Sequence, residues 1–345
     1  MRKKNFHFKE SNCIIYFNDS FSHLEKITDK SNTILLIDKT VSKKYAKLFK
    51  DWKIILCEGG DANKNQTAVN SIITQLITLG ANRQTFLIGI GGGVVTDLTG
   101  FIAGIYMRGI RFGFVPTTLL AMVDAALGGK NGINSVLYKN MIGLINQPSF
   151  ILYDKNFLTS LPKKEWVNGF AEIIKHACIR DRHLFKYLEK NSLDVFRKNP
   201  VKLDRLIVRN VNLKMKIVLE DPLEKNIRKL LNFGHTLGHA IENKNKLPHG
   251  HAISIGMVAA ARLSCNILNF GETERIILLL KKYGLPVRKK LDAEKVFAMM
   301  QSDKKTLGNT IDYILLKKIG QAEIRNVPMP QLLTELQKLS NAVHP

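Results

Sequence analysis

Short apolar runs that alternate with a helical pattern are the strongest constraint on the fold of the first half of the chain. Three continuous runs are typical of buried parallel strands: Ile34–Asp38, Ile54–Cys57 and Thr85–Ile90. A helical pattern over Thr67–Leu79, closed by Gly80, lies between the last two. Two further runs follow at Arg111–Val115 and Phe150–Tyr153. This repetition predicts an α/β domain, a parallel sheet with crossover helices.

The strand pattern fades after Pro162. Helical patterns follow at Glu165–Ile179, Val201–Leu219, His235–Glu242, Ala252–Leu268 and Glu272–Tyr283. A short apolar stretch at Tyr313–Leu316 suggests a small hairpin with Ala322–Ile324. A chain of 345 residues also exceeds what one hydrophobic core usually serves. The sequence therefore predicts two domains, an α/β domain over residues 1–162 and a helical domain over residues 163–345.

The excess of basic residues raises the question of a polyanionic partner. The chain carries 52 Lys and Arg against 29 Asp and Glu, a net charge of +23. Nucleic-acid binding is one interpretation of such an excess. The basic residues are spread along the chain, however, without interleaved aromatic residues or a known nucleic-acid motif. We therefore favour a small anionic substrate and expect no nucleic-acid partner.

The cysteines and the apolar runs indicate in which cellular compartment the chain acts. The four cysteines are scattered and form no CxxC pair, which argues against a disulfide framework and against a thiolate zinc site. No apolar run approaches the roughly 20 residues that span a bilayer, and the first residues do not resemble a signal peptide. We expect a cytoplasmic chain without a membrane partner, in which histidine and carboxylate hold any metal ion.

A glycine-rich turn, Gly89–Asp97, follows a predicted strand and opens a helix. Its glycines let a pyrophosphate approach the backbone, and the helix N-terminus offers N–H donors. A tight strand-to-helix turn is the alternative, because the segment lacks the usual GxGxxG spacing. Asp97 and Pro116–Thr118, which ends the next strand, should face the same crevice of an open sheet. That placement favours nucleotide binding.

Glycine-flanked lysines and asparagines follow in Asp124–Asn134 and Lys139–Gly143. Small residues expose backbone donors beside a point charge, so both segments suit an oxyanion. A surface loop with solvated lysines explains the same pattern equally well. The segments by themselves leave the two interpretations open.

Histidines and a glutamate gather in the second half of the chain. Glu172 lies on an otherwise apolar helix, where an unpaired carboxylate would be costly, and Lys175 is a possible partner one turn away. His235 and His239 share a helix face, and His249 opens a further helix. The set fits a catalytic divalent metal with an open coordination position. The general-base glutamate of a metalloprotease is missing, but chemistry alone leaves the choice of ligands open.

Eight segments together resemble the 3-dehydroquinate synthase family of sugar phosphate cyclases, over most of the chain. They are Gly91–Asp97, Arg108–Arg111, Pro116–Leu120, Gly128–Lys130, Lys139–Gly143, Phe170–Lys175, Leu230–Glu242 and His249–Gly250. The resemblance implies a Rossmann-like α/β N-terminal domain and an all-α C-terminal domain, usually in a homodimer. It also implies tightly bound NAD and one Zn²⁺ ion, with Co²⁺ as the alternative metal.

The resemblance further implies roles for individual residues. The metal ligands would be Glu172, His235 and His249. The NAD contacts would be Asp38, Asp61, Lys64, Gly91, Gly92, Gly93, Val94, Val95, Thr96, Asp97, Thr117, Thr118, Lys130, Lys139, Phe157 and Thr159. The substrate contacts would be Asp124, Lys130, Asn140, Lys175, Lys214, Glu224, Arg228, Asn232, His239 and Lys304. Arg108 would reach the substrate phosphate bound by the partner subunit.

The reaction implied by the resemblance begins with 3-deoxy-D-arabino-heptulosonate 7-phosphate, an intermediate of the shikimate pathway. NAD oxidises C5 transiently, phosphate leaves by elimination, hydride returns, and the opened enol closes by an intramolecular aldol step to 3-dehydroquinate. The metal would polarise the C4 and C5 oxygens. Lys130, Lys214, Arg228 and His239 suit the carboxylate and the phosphate of this substrate.

Several positions depart from the commonest family pattern. They are Asp61 in place of Glu, Ala125 and Ala126 in place of small hydroxyl residues, Asn131 in place of Thr, Pro222 in place of an acidic residue, and His251 in place of Glu. His251 matters most, because it adds a rival metal ligand beside His249.

Other activities compete with this interpretation. Cyclases of the 2-deoxy-scyllo-inosose or 2-epi-5-epi-valiolone type act on substrates without a carboxylate. Arg228–Asn232 disfavours them, because a buried cation left unpaired is costly. A metal-dependent polyol dehydrogenase is disfavoured by the lysine-rich segments. A nucleic-acid binder would leave the histidine and glutamate set unexplained.

Overall fold

The computed structural model describes residues 2–135, 139–245, 247–289, 292–301, 306–307 and 310–341. Contacts divide the chain into two compact units: the first contains residues 1–166 and 204–219, and the second contains residues 167–203 and 220–345. Residues 204–219 group with the first unit through contacts such as Lys4 Nζ to Asn212 Oδ1 (2.6 Å) and Lys155 Nζ to Asp204 Oδ2 (3.0 Å). The domain boundary between residues 162 and 163 stays a prediction.

The first unit is built on a parallel sheet. Its strands within the described residues are β1 (Arg2–His7), β2 (Asn12–Phe17), β3 (Thr33–Asp38), β4 (Lys53–Cys57), β5 (Phe86–Gly91), β6 (Arg111–Pro116), β7 (Lys130–Ile133), β8 (Ile142–Ile145) and β9 (Phe150–Leu152). Seven form one sheet in the order β1-β2-β9-β6-β5-β3-β4, in which only the β1–β2 pair is antiparallel, and β7–β8 form a separate antiparallel pair. The five predicted strands are confirmed to within one residue at each end. The apolar runs of β3 and β5 are continuous because both strands are buried along nearly their whole length.

Four α-helices connect these strands. They are α1 (Leu24–Ile27), α2 (Lys39–Lys44), α3 (Gln66–Thr78) and α4 (Gly93–Ile105). α3 confirms the predicted helix, and Asn65 caps it because its Oδ1 accepts from Ala68 N (3.0 Å). The chain leaves α3 through Gly80, whose φ of +72° is a conformation that favours glycine.

Two strand pairs lie outside the predicted pattern. β1 is a sheet edge with exposed charged side chains, so it shows no apolar periodicity. It is nevertheless paired with β2, which itself runs parallel to β9 with Ile14 opposite Phe150. In the β7–β8 pair, Gly132 lies opposite Gly143. The sequence of this pair could not be told from a surface loop, because both strands are short and contain glycine.

Beyond Pro162 the chain is mostly helical. The helices are α5 (Lys163–Arg180), α6 (Arg182–Lys190), α7 (Leu193–Lys198), α8 (Pro200–Glu220), α9 (His235–Asn245), α10 (His249–Leu268), α11 (Thr273–Lys282), α12 (Ala293–Gln301) and α13 (Met329–Asn341). A small antiparallel sheet contains β10 (Thr306–Leu307), β11 (Thr310–Lys318) and β12 (Gln321–Pro328). Its β11–β12 pair, with Ile314 opposite Ile324, confirms the predicted hairpin. The helical C-terminal domain is therefore confirmed, and its small sheet contains the predicted hairpin.

α10 is long and apolar enough to cross a membrane, the only helix of the described ranges of which this is true. Its 18-residue window has a mean hydropathy of 1.3, and 67% of that window is buried within the protein. Burial in the protein accounts for the apolar character of the helix, because core helices have the same composition.

Candidate active site

Three ligand-type side chains of the second unit meet at one point. Glu172 lies in the middle of α5 with no solvent exposure, while His235 and His249 are the first residues of α9 and α10. Glu172 Oε1 is 3.1 Å from His249 Nε2 and 3.5 Å from His235 Nε2. Two atoms bound to one tetrahedral zinc ion at about 2.0–2.1 Å lie about 3.3 Å apart. The three atoms therefore have the spacing of ligands to a shared ion.

The far side of each imidazole is held by a hydrogen bond. His235 Nδ1 is 3.1 Å from Phe233 O, and His249 Nδ1 is 3.3 Å from Glu242 Oε2. When Nδ1 donates its proton to such an acceptor, the Nε2 lone pair remains for a metal. Glu242 had no role predicted from the sequence, although it lies seven residues after His235 on the same helix and therefore on nearly the same helix face.

Charge at this point is balanced by neighbouring side chains. The Lys175 ammonium contacts Glu172 Oε2, and both side chains are buried. Burial, and then the Lys175 charge, hold the pKa of His235 well below its usual range. Burial alone would lower the pKa of His249, but the carboxylates of Glu172 and Glu242 outweigh it and raise that pKa to about 10. His235 is thus already neutral at physiological pH, whereas His249 carries a proton between its two carboxylates and would release that proton when it binds a metal ion.

Glycines allow the helices that carry the two histidines to pack closely. Gly234, with a φ of +77°, turns the chain into α9, and a Cβ on Gly256 would lie only 1.9 Å from Gly234 O. At the start of α10, Gly250 N donates to Asn168 Oδ1 of α5, and a Cβ on Gly250 would lie 2.5 Å from Asn168 O. No larger residue fits these two contacts, so they fix where His235 and His249 begin their helices.

Two further histidines had been possible ligands. The His239 ring lies 5.2 Å from the His235 ring and 6.3 Å from the His249 ring, centroid to centroid. His239, Glu242 and His249 form a second ligand-type group, whereas His251 belongs to none of the groups found among the described residues.

The expected anion-binding residues of the second unit surround a tight turn before α9. Arg228 is 1% exposed, and its Nη1 donates to Pro222 O (2.6 Å). Asn232 Nδ2 donates to Glu224 Oε1 (2.7 Å), and Glu224 has a φ of +59°. A strained non-glycine residue in this region marks a turn that the surroundings hold in place. Lys304, also expected at the substrate, lies outside the described residues.

Asp221 shapes this turn, a role that was not predicted from the sequence. Its carboxylate accepts from the backbone N–H groups of Lys225 (3.0 Å), Asn226 (2.7 Å) and Arg228 (3.1 Å). Burial would raise the pKa of Asp221, but these hydrogen bonds outweigh it and lower the pKa. An acidic residue after a helix end carries no sequence signal that distinguishes this role from a solvated side chain.

The glycine-rich turn of the first unit lies at a switch point of the sheet. β5 lies between β3 and β6, while β4, which follows β3 in sequence, lies on the other side of β3. Ligands of open α/β sheets bind outside the carboxyl ends of strands where the order reverses in this way. Asp38 ends β3, and Gly92 caps α4 directly after β5. The space is tight, since a Cβ on Gly92 would lie 3.1 Å from Thr118 Cγ2.

The hydrogen bonds near this turn differ between the expected cofactor residues. Thr117 N donates to Gly91 O (2.9 Å), and the Asp38 carboxylate accepts from the first N–H groups of α2. Phe157 is buried edge-on against Tyr45, and Thr159 Oγ1 donates to Asn156 O (2.6 Å). Within the described part of the chain, neither of these two residues forms a hydrogen bond to the glycine-rich turn.

Lysines of the first unit pair with acidic and amide side chains. The ion pairs are Lys64 with Asp97, Lys139 with Asp61, and Lys214 with Asp124 (2.7 Å). Lys64 Nζ also donates to Asn140 Oδ1. Burial raises the pKa of Asp97 despite the neighbouring Lys64 ammonium. The structure thus brings these expected cofactor and substrate residues together in pairs.

Lys130 and Arg108 are both exposed. Lys130 opens β7, and Arg108 lies in a turn where three consecutive residues, Met107, Arg108 and Gly109, have φ values of +50°, +67° and +119°. Such strain in Met and Arg is uncommon and is typical of functional turns.

The chain matches two family models over most of its length. Residues 54–168 match the model described as 3-dehydroquinate synthase N-terminal, and residues 169–306 match that described as 3-dehydroquinate synthase C-terminal. The 3-dehydroquinate synthase of Campylobacter concisus (strain 13826) is 39% identical over 330 residues, which cover 92% of this chain and 93% of the relative. That of Thermodesulfovibrio yellowstonii is 41% identical over 278 residues, or 79% and 77% of the two chains.

Two solved structures of related cyclases are also similar. One is a 2-deoxy-scyllo-inosose synthase with carbaglucose-6-phosphate, NAD⁺ and Co²⁺, at 26% identity and a TM-score of 0.86 over 98% of this chain and 100% of that one. The other is the 2-epi-5-epi-valiolone synthase of Streptomyces hygroscopicus subsp. jinggangensis 5008 with NAD⁺ and Zn²⁺, at 25% identity and a TM-score of 0.87 over 99% of each chain. Both proteins share the fold and bind the two cofactors that the sequence leads us to expect.

Proposed function

Since the chain belongs to the 3-dehydroquinate synthase family, we propose that it converts 3-deoxy-D-arabino-heptulosonate 7-phosphate into 3-dehydroquinate and phosphate. It is then a carbon–oxygen lyase of the shikimate pathway. The observation that carries the proposal is the 39% identity with a named 3-dehydroquinate synthase over 92% of the chain. The ligand-type cluster of Glu172, His235 and His249 supports it, because this chemistry needs a metal site.

A divalent metal ion fits the second unit. Glu172, His235 and His249 would hold it, since their ligand atoms converge and Phe233 O and Glu242 fix the imidazoles. When bound, Zn²⁺ or Co²⁺ supplies Lewis-acid polarisation of substrate oxygens. Three protein ligands leave coordination positions for those oxygens.

NAD fits the switch point of the first unit. The N-terminus of α4 presents backbone N–H groups toward a pyrophosphate, and no side chain caps it. Asp38 at the end of β3 and Thr118 beside Gly92 flank the same crevice. NAD supplies a reversible hydride acceptor, and the residues of this chain bind and orient it.

Cationic side chains would bind the substrate anions. We assign this role to Lys130, Lys175, Lys214, Arg228 and His239. Arg228 suits the substrate carboxylate, because a buried planar guanidinium binds a carboxylate in a bidentate manner. Asp124 and Glu172 orient the Lys214 and Lys175 ammonium groups through the ion pairs described above.

Incubation of the chain with the heptulosonate phosphate, NAD and Zn²⁺ tests the proposal. We expect release of inorganic phosphate at the same rate as formation of the cyclic product. A hexose 6-phosphate without a carboxylate is the matched control and should give neither. Equal turnover of the control would favour a 2-deoxy-scyllo-inosose type of cyclase instead, and release of reduced NAD without phosphate would favour a polyol dehydrogenase.

We further propose a homodimer in which Arg108 of one copy reaches the substrate phosphate of the other. The strained turn of Arg108 also carries exposed apolar side chains, since Ile105 and Met107 are each 42% exposed. Apolar surface of this kind is typical of a covered interface.

We also propose that the chain acts in the cytoplasm.

Subunit mixing tests this arrangement. Arg108→Ala and Lys130→Ala should each lose most of the activity when present alone. In a re-associated 1:1 mixture about a quarter of the sites should combine an intact Arg108 with an intact Lys130. Recovery of activity in that range supports the shared site, and a mixture as inactive as its components contradicts it.

A further inference from the structure

The amide of Asn131 lies at the centre of a small buried network in the first unit. Its Nδ2 is within hydrogen-bond distance of Gly129 O (2.9 Å), Asn146 O (3.0 Å) and Asn146 Oδ1. The Asn131 residue is only 5% exposed. An unpaired amide at this depth would be costly, so these acceptors determine where the side chain lies.

Asn146 extends the network to helix α4. Its backbone N donates to Gly129 O (2.9 Å), and its Nδ2 donates to Gly100 O (3.1 Å) in the middle of α4. The two amides thus join β7, the residue after β8, and the helix that the glycine-rich turn opens. We call this hydrogen-bonded group the amide cluster. It contains the side chains of Asn131 and Asn146 and the backbone of Gly100 and Gly129.

Helix α4 has glycines where it packs against the amide cluster. A Cβ on Gly100 would lie 2.2 Å from both Cγ and Oδ1 of Asn131, and a Cβ on Gly104, one turn later, would lie 3.0 Å from Asn146 Nδ2. A Cβ on Gly129 would lie 2.6 Å from Asn146 O, and its φ of +70° also favours glycine. Gly100 and Gly104 therefore admit two asparagine side chains that larger residues would displace, and Gly129 admits the backbone of Asn146.

Lys130 is the neighbour of Asn131 on β7 and faces the other way. Successive side chains of a strand point to opposite faces, and Lys130 is exposed where Asn131 is buried. Any movement of the Asn131 amide against α4 therefore shifts or rotates the backbone that carries Lys130. β7 has no central sheet to hold it, because its partner is β8 alone.

We infer that Asn131 is a positioning residue that sets the Lys130 ammonium for the substrate anion. The inference rests on the proposed function, in which Lys130 binds substrate. It assigns a role to a position where this chain departs from the usual threonine of its family. Asn131 itself touches no substrate atom and acts only through Lys130.

A double-mutant cycle between Asn131 and Lys130 tests the inference, with turnover and calorimetric binding of the heptulosonate phosphate as readouts. Asn131→Ala alone should lower kcat/KM on the order of 10²-fold, the size of effect that a 1 Å misplacement produces. In the Lys130→Ala background, Asn131→Ala should lower kcat/KM by less than about threefold, because the side chain through which Asn131 acts is already absent. Zinc content should stay at the wild-type level in all three variants.

A second route displaces the same amide without changing Asn131. Gly100→Ala puts a Cβ where the amide lies and should reproduce the loss caused by Asn131→Ala. The double variant Gly100→Ala/Asn131→Ala should be no worse than Gly100→Ala alone. Asn266→Ala, which removes an amide hydrogen bond to Glu335 (2.7 Å) in the second unit, is the matched control and should leave kcat/KM unchanged.

The outcomes separate this inference from the proposed function. If the wild-type chain binds the heptulosonate phosphate but does not convert it, the proposed reaction is wrong. The double-mutant cycle then compares the dissociation constants of the variants for this compound. Equal losses from Asn131→Ala with and without Lys130 overturn the positioning role and leave only a structural one. Wild-type chain that neither binds nor converts the substrate overturns both.

Discussion

The second unit gathers several buried charges at one point, whereas the first unit pairs its charges one by one. Glu172 and Glu242 flank His249, and the Lys175 ammonium contacts Glu172 as well. In the first unit, Lys64 and Lys214 each have a carboxylate of their own. This difference predicts in which unit a single substitution disturbs more neighbouring groups. Losing a ligand leaves several buried groups uncompensated, while losing a paired lysine disturbs one partner.

The largest effect should follow the loss of a metal ligand. His235→Ala should abolish phosphate release and sharply lower zinc content, because the remaining ligands cannot complete a tetrahedral site. Metal analysis after dialysis and a phosphate assay measure both. His251→Ala is the control and should keep wild-type zinc. Full zinc occupancy in His235→Ala would show that the ligand set is wrong.

A lysine of the first unit should give a large but purely catalytic defect. Lys130→Ala should lower kcat/KM by about 10²- to 10³-fold, the cost of one lost charge-stabilising donor. Zinc should remain bound, because Lys130 does not belong to the metal cluster, and NAD titration shows how much its expected cofactor contact contributes to NAD binding. Steady-state kinetics, NAD titration and metal analysis check the three parts. Wild-type activity would remove Lys130 from the site.

The hydrogen bond behind His249 should have a graded effect. Glu242→Gln keeps the shape of the side chain but weakens its hold on Nδ1, and we expect metal affinity to fall about 10- to 100-fold. Competition with a chelator measures the affinity. An unchanged value would mean that His249 is oriented by its helix alone. This variant tests whether the carboxylate of Glu242 beside His249 contributes to metal binding.

The smallest effect should be one of stability. Asp221→Ala leaves three backbone N–H groups without their acceptor and should cost about 1–3 kcal/mol. Because the folded pKa of Asp221 is lowered, its contribution is complete above the ordinary aspartate range and is lost as the pH falls through the folded value. Denaturant unfolding should therefore separate the two proteins at pH 7 and bring them together in acid. A pH-independent difference would contradict this origin.

The sequence was informative where one physical signal dominated. β3 and β5 are buried on both faces, so continuous apolar runs predicted them within one residue. The apolar run Tyr313–Leu316 of β11 was predicted for the same reason, although only one residue of its partner β12 is buried. β1 carries its charges on an open edge and β7 contains glycine, and neither has a periodic pattern.

The candidate site was predictable in its residue types and less so in its geometry. Ligand-type residues at two helix starts indicated a metal centre, but spacing could not choose between His235 and His239. Glu242, Asp221 and Asn131 remained unassigned, because their roles depend on groups distant in sequence. Only the folded chain brings a carboxylate to His249 Nδ1 or a glycine of α4 to an asparagine amide.

The edge strand β1 has a consequence for how copies of this chain meet. An open edge offers unpaired N–H and C=O groups on which another sheet can grow. Arg2, Lys3 and Lys4 stand exposed along β1, so a second copy approaching edge to edge brings like charges together. Part of the +23 charge thus works as a barrier to runaway sheet extension, strongest in dilute salt and weaker as ions screen it.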